Sequence, residues 1–243
     1  MMSRVLANRN ARIGVCITIF FIAMAVVGPF LVGDPLEFVG VPLEAPGSEF
    51  HFGTTGQGQD VLAQTVCGAA TTLAVGFSVG LLVVVFGALV GISAAYFGGR
   101  VDDTLSLLMN VFLVLPGLPL AVVLAAYLPP GPLTLTGVLV ITGWAWNARV
   151  VRSQAMSLRE RDFIQAAIVS GESHLRIITR EILPNMASLL ASQFTGATVY
   201  AIGAQVGLEF LGLGDVSSVT WGTNLYWAAN DSALLTQSWW VFV

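Results

Sequence analysis

Apolar positions along this chain fall in long unbroken blocks, not at the three-and-four spacing of a surface helix. The blocks cover 13–32, 69–97, 105–128, 133–148 and 187–208, and a last one begins near Trp239. A stretch of about 20 apolar residues, rising 1.5 Å each, matches the roughly 30 Å of hydrocarbon in a bilayer. The pattern therefore predicts an all-α, polytopic membrane protein with five complete transmembrane helices and the start of a sixth. The first block follows a basic leader and contains Ala23-Met24-Ala25, the small-x-small form of a cleavage site. It runs on unbroken past that point, so an uncleaved helix is expected. Gly98-Gly99-Arg100, Pro129-Pro130-Gly131-Pro132 and Pro184 punctuate the blocks. Pro116 and Pro119 lie within the third, where a kinked or locally unwound helix is expected.

Composition strengthens this reading. Of 243 residues, 56% are hydrophobic and 10% charged, against about a quarter charged in a soluble domain. Mean hydropathy is +0.82. Soluble globular, disordered, collagenous and disulfide-scaffold classes are excluded. Cys16 and Cys67 lie in or beside apolar runs without a CxxC partner and read as packing residues.

Charge placement predicts orientation. All ten basic residues are arginines. With the N-terminus in the cytoplasm, segments 1–12, 98–104 and 149–186 lie inside and hold every one of them. Segments 34–68, 129–132 and 209–238 lie outside and hold Asp34, Glu37, Glu44, Glu49, Asp60, Glu209, Asp215 and Asp231. Such segregation follows the positive-inside bias. The expected organisation is a cytoplasmic N-terminus and first helix (1–33), an extracytoplasmic segment (34–68), and a core transmembrane domain (69–243) containing the inside loop 149–186.

Ionisable groups are nearly absent from the block interiors, which disfavours an ion-coupled carrier. Asn110, Asn147, Gln193, Thr198 and Gln205 are the candidates for lining a solute path, with helix-to-helix packing as the plainer role of each. Gly76, Gly80, Gly87 and Gly91 form a small-residue face suited to close helix contact.

The 149–186 loop reads as two short helices. Ser157-Leu158-Arg159-Glu160 has the form of a capping box opening the first. Phe163, Ile164, Ala166, Ala167 and Ile168 give it an apolar face, and Gly171 stops it. Ser173 can cap the second, with Glu172 and Arg176 at (i, i+4) spacing and Pro184 ending it. Composition alone allows a protein-docking surface or a helix lying on the inner leaflet.

The order of residues decides between them. Gln165-Ala166-Ala167, then Gly171, then Glu181-Ile182-Leu183-Pro184 resembles the "EAA" loop of the membrane subunits of ATP-binding-cassette importers. Gln165 stands where that family usually has glutamate. The segment 51–62, HFGTTGQGQDVL, resembles the "GTD..GRDV" segment of the C-type permeases of dipeptide, oligopeptide and nickel importers. Thr55 and Gln59 replace its usual aspartate and arginine. The run 209–214, EFLGLG, followed by Trp221-Gly222, resembles that group's "SFLGLG…WG" segment.

The resemblance implies the type I importer permease fold. Asp162, Phe163, Gln165, Ala166, Ala167, Gly171, Leu183 and Pro184 would then form the coupling loop that docks on an ATPase. It also implies a second homologous permease, giving a heterodimer, two ATPase subunits that bind ATP and Mg, and an extracytoplasmic solute-binding protein, in a prokaryotic inner membrane. Peptide is the expected solute, with nickel, a metal chelate or an oligosaccharide as alternatives within the family, and an ion-coupled carrier, a channel or a membrane scaffold as alternatives outside it. No catalytic, cofactor or metal site is expected in this chain, and no nucleic acid partner. Without lysine it has no G-x-x-x-x-G-K-[ST] phosphate loop. The polypeptide is expected to continue beyond Val243 by at least about 15 apolar residues, completing the sixth helix.

Overall fold

The computed structural model describes residues 8–242, and among these the regular structure is helical. In chain order the helices are α1 (Arg9–Val27), α2 (Val61–Phe97), α3 (Gly99–Val114), α4 (Gly117–Tyr127) and α5 (Pro132–Arg159). There follow α6 (Asp162–Val169), α7 (His174–Ile177), α8 (Leu183–Asn185), α9 (Ala187–Phe210) and α10 (Trp221–Asn230). A π-helical turn, Ile178–Ile182, joins α7 to α8. The chain belongs to the multi-pass membrane class. By length and composition α1 with its trailing turn and α2 can each cross a bilayer, and the bent pair α3 and α4 makes a third candidate.

The chain divides into two compact units. One takes in the chain up to Val75, Pro130–Pro132 and the chain from Gln205 onward; the other is Gly76–Pro129 with Leu133–Ala204.

In the first unit, α1 beyond Arg12 is almost wholly apolar and buries no residue of its own, as expected of a helix solvated by lipid. Its Phe21 ring meets Trp221 edge-on at 6.0 Å. The 34–60 segment is organised by Thr54, which is fully buried. The Thr54 hydroxyl donates to Val41 O at 2.5 Å and accepts from the Glu44 amide at 2.8 Å. Gln59 makes an uncharged network: Gln64 Nε2 donates to Gln59 Oε1 at 2.6 Å, and Gln59 Nε2 donates to Leu36 O at 3.3 Å. Thr55 Oγ1 accepts from the Gln59 amide at 3.2 Å. Neutral hydrogen bonds thus occupy the two positions where the resemblance leads one to look for an ion pair.

Helix α10 opens with a capping box, Thr220 and Thr223, and its N-terminus is moored to α9. Buried Glu209 accepts from Thr220 Oγ1 at 2.6 Å and from Gln205 Nε2 at 2.9 Å. The final segment forms a 3₁₀ turn, Trp239–Phe242, with Val241 buried against Val61, Ala228 and Ala233.

In the second unit the glycine face of α2 does what the sequence predicts. Gly76 abuts Ile202, Gly80 abuts Thr198, and Gly87 and Gly91 lie against Asn147, Ala148 and Val151. Without Cβ atoms, α2 approaches the backbones of α5 and α9 directly. Trp144 fills the adjoining core with Ala94, Met109 and Ala148, its ring edge-on to Phe86 and Phe112 at 5.2 Å each. The third apolar block is broken as Pro116 predicts: α3 and α4 meet at an angle of 82°.

Candidate functional site

The 149–186 segment begins differently from the sequence expectation. Helix α5 runs on to Arg159, so Ser157 lies inside it and makes no capping box. Arg161 takes the N-cap position of α6 without a side-chain bond. Arg149 and Arg152 find partners on α3, so the helix need not stop where the arginines start. Arg152 holds Asp102 bidentately, both bonds 2.5 Å, and Arg149 Nη2 donates to Asn110 Oδ1. Asn110 thus serves as a polar tether between α3 and α5.

The rest follows the predicted outline. Helix α6 ends at Val169, and Gly171 has φ +75°, the left-handed conformation that glycine adopts freely. Ser173 stands at the N-cap of α7 without a side-chain cap bond. Arg176 Nε lies 3.4 Å from Glu172 on the exposed surface. Pro184 lies in the last helical turn, α8, which stops one residue later at Asn185. Ahead of it the path passes through the π turn, and Asn185 Nδ2 donates to Glu181 O at 2.6 Å where the ladder is widened.

These loop helices are not a loose strap. Ile164 of α6, Ile177 of α7 and Ile182 of the π turn are fully buried in one cluster with Ala88, Ile92 and Tyr96 of α2 and Val151 and Ala155 of α5. Leu183 packs against the same cluster. Gln165 Nε2 donates to Arg159 O at 2.8 Å, and Arg159 Nη1 donates to Ala95 O at 3.3 Å near the α2 C-terminus, the favourable place for a cation. Tyr96 Oη and His174 Nδ1 are 2.9 Å apart. The opposite face of α6 is exposed and, Asp162 apart, apolar. Phe163 is 42% exposed and Val169 87%, and Asp162 and Ala166 are exposed beside them.

A second feature lies within the same unit. A cavity of about 480 Å³ is lined by α2, α3, α4, α5 and α9, among them Phe112, Gly117, Trp146, Asn147, Gln193 and Tyr200. Among the described residues, no charged side chain lines it. Of the predicted path residues, Asn147 and Gln193 are here. Thr198 is buried against Gly80, and Gln205 belongs to the first unit, bonded to Glu209. Sequence reasoning missed Tyr200, Glu209 and the Asp102–Arg152 pair; an acidic residue beside the arginine-rich segments was the one signal for the last. Among the described residues, no group of three or more His, Cys, Asp or Glu could hold a metal ion.

Residues 84–236 match the family described as "Binding-protein-dependent transport system inner membrane component". A putative peptide transport system permease protein of Brucella abortus is 34% identical, the alignment covering 99% of this chain and 81% of that protein. The dipeptide transport system permease protein DppC of Bacillus subtilis is 34% identical over 98% of this chain and 74% of its own length. The oligopeptide transport system permease protein OppC of Mycobacterium tuberculosis is 35% identical over 99% and 83%.

Proposed function

The chain belongs to the family of binding-protein-dependent transport system inner membrane components, and we propose that the solute it passes as a permease subunit is a peptide. Similarity to permeases named for peptides over nearly the whole chain supports peptide above a metal chelate or a sugar. The subunit is a transport component and not an enzyme in its own right. We further propose that it works with a second, homologous permease, two ATPases that bind ATP and Mg, and an extracytoplasmic binding protein, its N-terminus and the 149–186 segment facing the cytoplasm.

The observation that carries the coupling role is the two-faced character of α6. Ile164 anchors one face in the core it shares with α2 and α5, while Phe163, Ala166 and Val169 leave an apolar face uncovered. An exposed apolar helix face on a rigid mount fits a protein partner. Closure of the ATPases on ATP would move the docked helix, and the shared core would carry that movement into α2 and α5. Asn147 and Gln193 are proposed to line the solute path. The test is purification of the tagged complex from membranes with Val169→Asp beside the wild type. Wild type should retain a stoichiometric ATPase partner and Val169→Asp should lose most of it. Equal retention would remove α6 from the docking surface.

A further inference from the structure

Helix α2 ends where two other elements take hold of it. Its last residue but one, Tyr96, is 5% exposed, and a buried phenol needs a hydrogen-bond partner. His174, the first residue of α7, supplies one, with Tyr96 Oη and His174 Nδ1 2.9 Å apart. Either form of the imidazole keeps this bond, since a bare Nδ1 accepts from the hydroxyl and a protonated one donates to it. The His174 ring also meets Tyr96 and Phe97 edge-on, at 5.6 and 5.9 Å. From α5, Arg159 Nη1 reaches Ala95 O in the same turn. The end of α2 is thus held by α5 through its backbone and by α7 through a side chain.

The hydrogen bond differs in kind from the apolar cluster around Ile164, Ile177 and Ile182. Apolar burial is non-directional, so the cluster holds the loop helices against α2 without prescribing a direction of contact. A hydrogen bond weakens steeply when its partners are displaced or turned. Among the described residues, Tyr96–His174 is the one side-chain hydrogen bond between the loop helices and α2. Its place on α2 also gives it reach. Val79 and Val83 of the same continuous helix line the cavity. They lie about 20–26 Å up the helix from Tyr96 at 1.5 Å per residue.

We propose that Tyr96 and His174 are positioning residues of the coupling step. Their bond pins α7 to the end of α2, so that movement of α6 reaches the cavity wall instead of being taken up by slippage within the apolar cluster. This deepens the coupling reading of α6 and rests on it. With the bond broken, α6 still docks, but closure of the ATPases and displacement of α2 become separate events.

The experiment uses the complete importer, freed of native cysteines, in proteoliposomes with its own binding protein. Spin labels on Leu82→Cys in α2 and Val123→Cys in α4, both exposed positions, report the separation of two helices that line the cavity. Distances are compared without nucleotide and with ATP kept unhydrolysed by EDTA. The otherwise unaltered importer should gain a second distance population on ATP. Tyr96→Phe, which keeps the ring and removes the hydroxyl, should cut the ratio of shifted to unshifted population by about fivefold, the value of one neutral hydrogen bond. His174→Phe should do the same, and the double variant should lose no more than either single one. His174→Asn, whose Oδ1 can stand in for Nδ1, should stay close to the unaltered ratio. The ratio is read within assembled complexes, each first shown to retain its ATPase, so a change in yield or stability does not move it. An unchanged ratio in Tyr96→Phe, equal losses in His174→Phe and His174→Asn, or no ATP-dependent shift before either residue is altered would overturn the pin. Those results leave the docking of α6 standing. Full ATPase retention by Val169→Asp would instead overturn the docking reading, and the pin with it.

Discussion

Gly91 shows how a single residue sets the packing of the second unit. A Cβ there would sit 2.5 Å from Ala148 O and 2.9 Å from the Arg152 amide, both main-chain atoms that cannot swing away. Gly91→Val should therefore lower stability by roughly 1–3 kcal/mol or more, the usual range for overpacking. Gly137→Ala, where no atom lies within 4 Å of the added Cβ, should be nearly neutral. Thermal unfolding midpoints of the detergent-solubilised complexes compare the two. Asp231 offers a second check. It borders a small cavity lined by Gln57, Gln64 and Asn224, and burial raises its carboxyl above the ordinary value. The fold thus favours the neutral acid. Its contribution to stability is complete below the unfolded carboxylate range and is lost as pH rises through the raised folded value. Asp231→Asn should flatten that decline, seen as a smaller difference between unfolding midpoints at pH 4.5 and pH 7.5.

Among the elements, the loop helices test how the chain couples. Gly171 has φ +75° with open space around it, so a substitution there strains the backbone alone, by about 1–2 kcal/mol for an ordinary residue and more for a β-branched one. Gly171→Val should re-angle α6 against α7 and reduce both solute uptake and solute-stimulated ATP hydrolysis, leaving membrane insertion intact. Wild-type uptake by that variant would exclude this turn from coupling. The position of Gly171 was legible because a glycine after an apolar helical run has few other uses. So was the break at Pro116, where the ring removes a ladder bond. The extension of α5 to Arg159 was not legible. Arginine in sequence reads as the end of a span, and only the fold brings Asp102 within 2.5 Å of Arg152, 50 residues away. The π turn before Pro184 was hidden for a similar reason: Asn185 satisfies the Glu181 carbonyl with a side-chain donor that a period of 3.6 does not reveal. Within the cavity, Asn147 and Gln193 stood out as polar residues in apolar blocks. Tyr200 did not, since tyrosine is ordinary in a membrane helix and its place beside Gly117 depends on the angle between α3 and α4.

For the whole molecule, the proposed orientation rests on the arginines. All ten fall on one side of the expected topology, and the positive-inside bias places such a side in the cytoplasm. The described residues add reasons for the arginines to stay together: Arg152 is fixed on Asp102, Arg176 lies near Glu172, and Arg159 reaches the end of α2. Moving any of these across the bilayer would take its partners with it. Ser217 and Ser173 stand on opposite sides in the expected topology, and both are exposed. After the native cysteines Cys16 and Cys67 are replaced, a cysteine substituted at Ser217 should react with a membrane-impermeant thiol reagent added to intact cells. One at Ser173 should react only after the membrane is permeabilised. Labelling of the Ser173 variant in intact cells would reverse the orientation, and with it the proposal that α6 meets an ATPase in the cytoplasm.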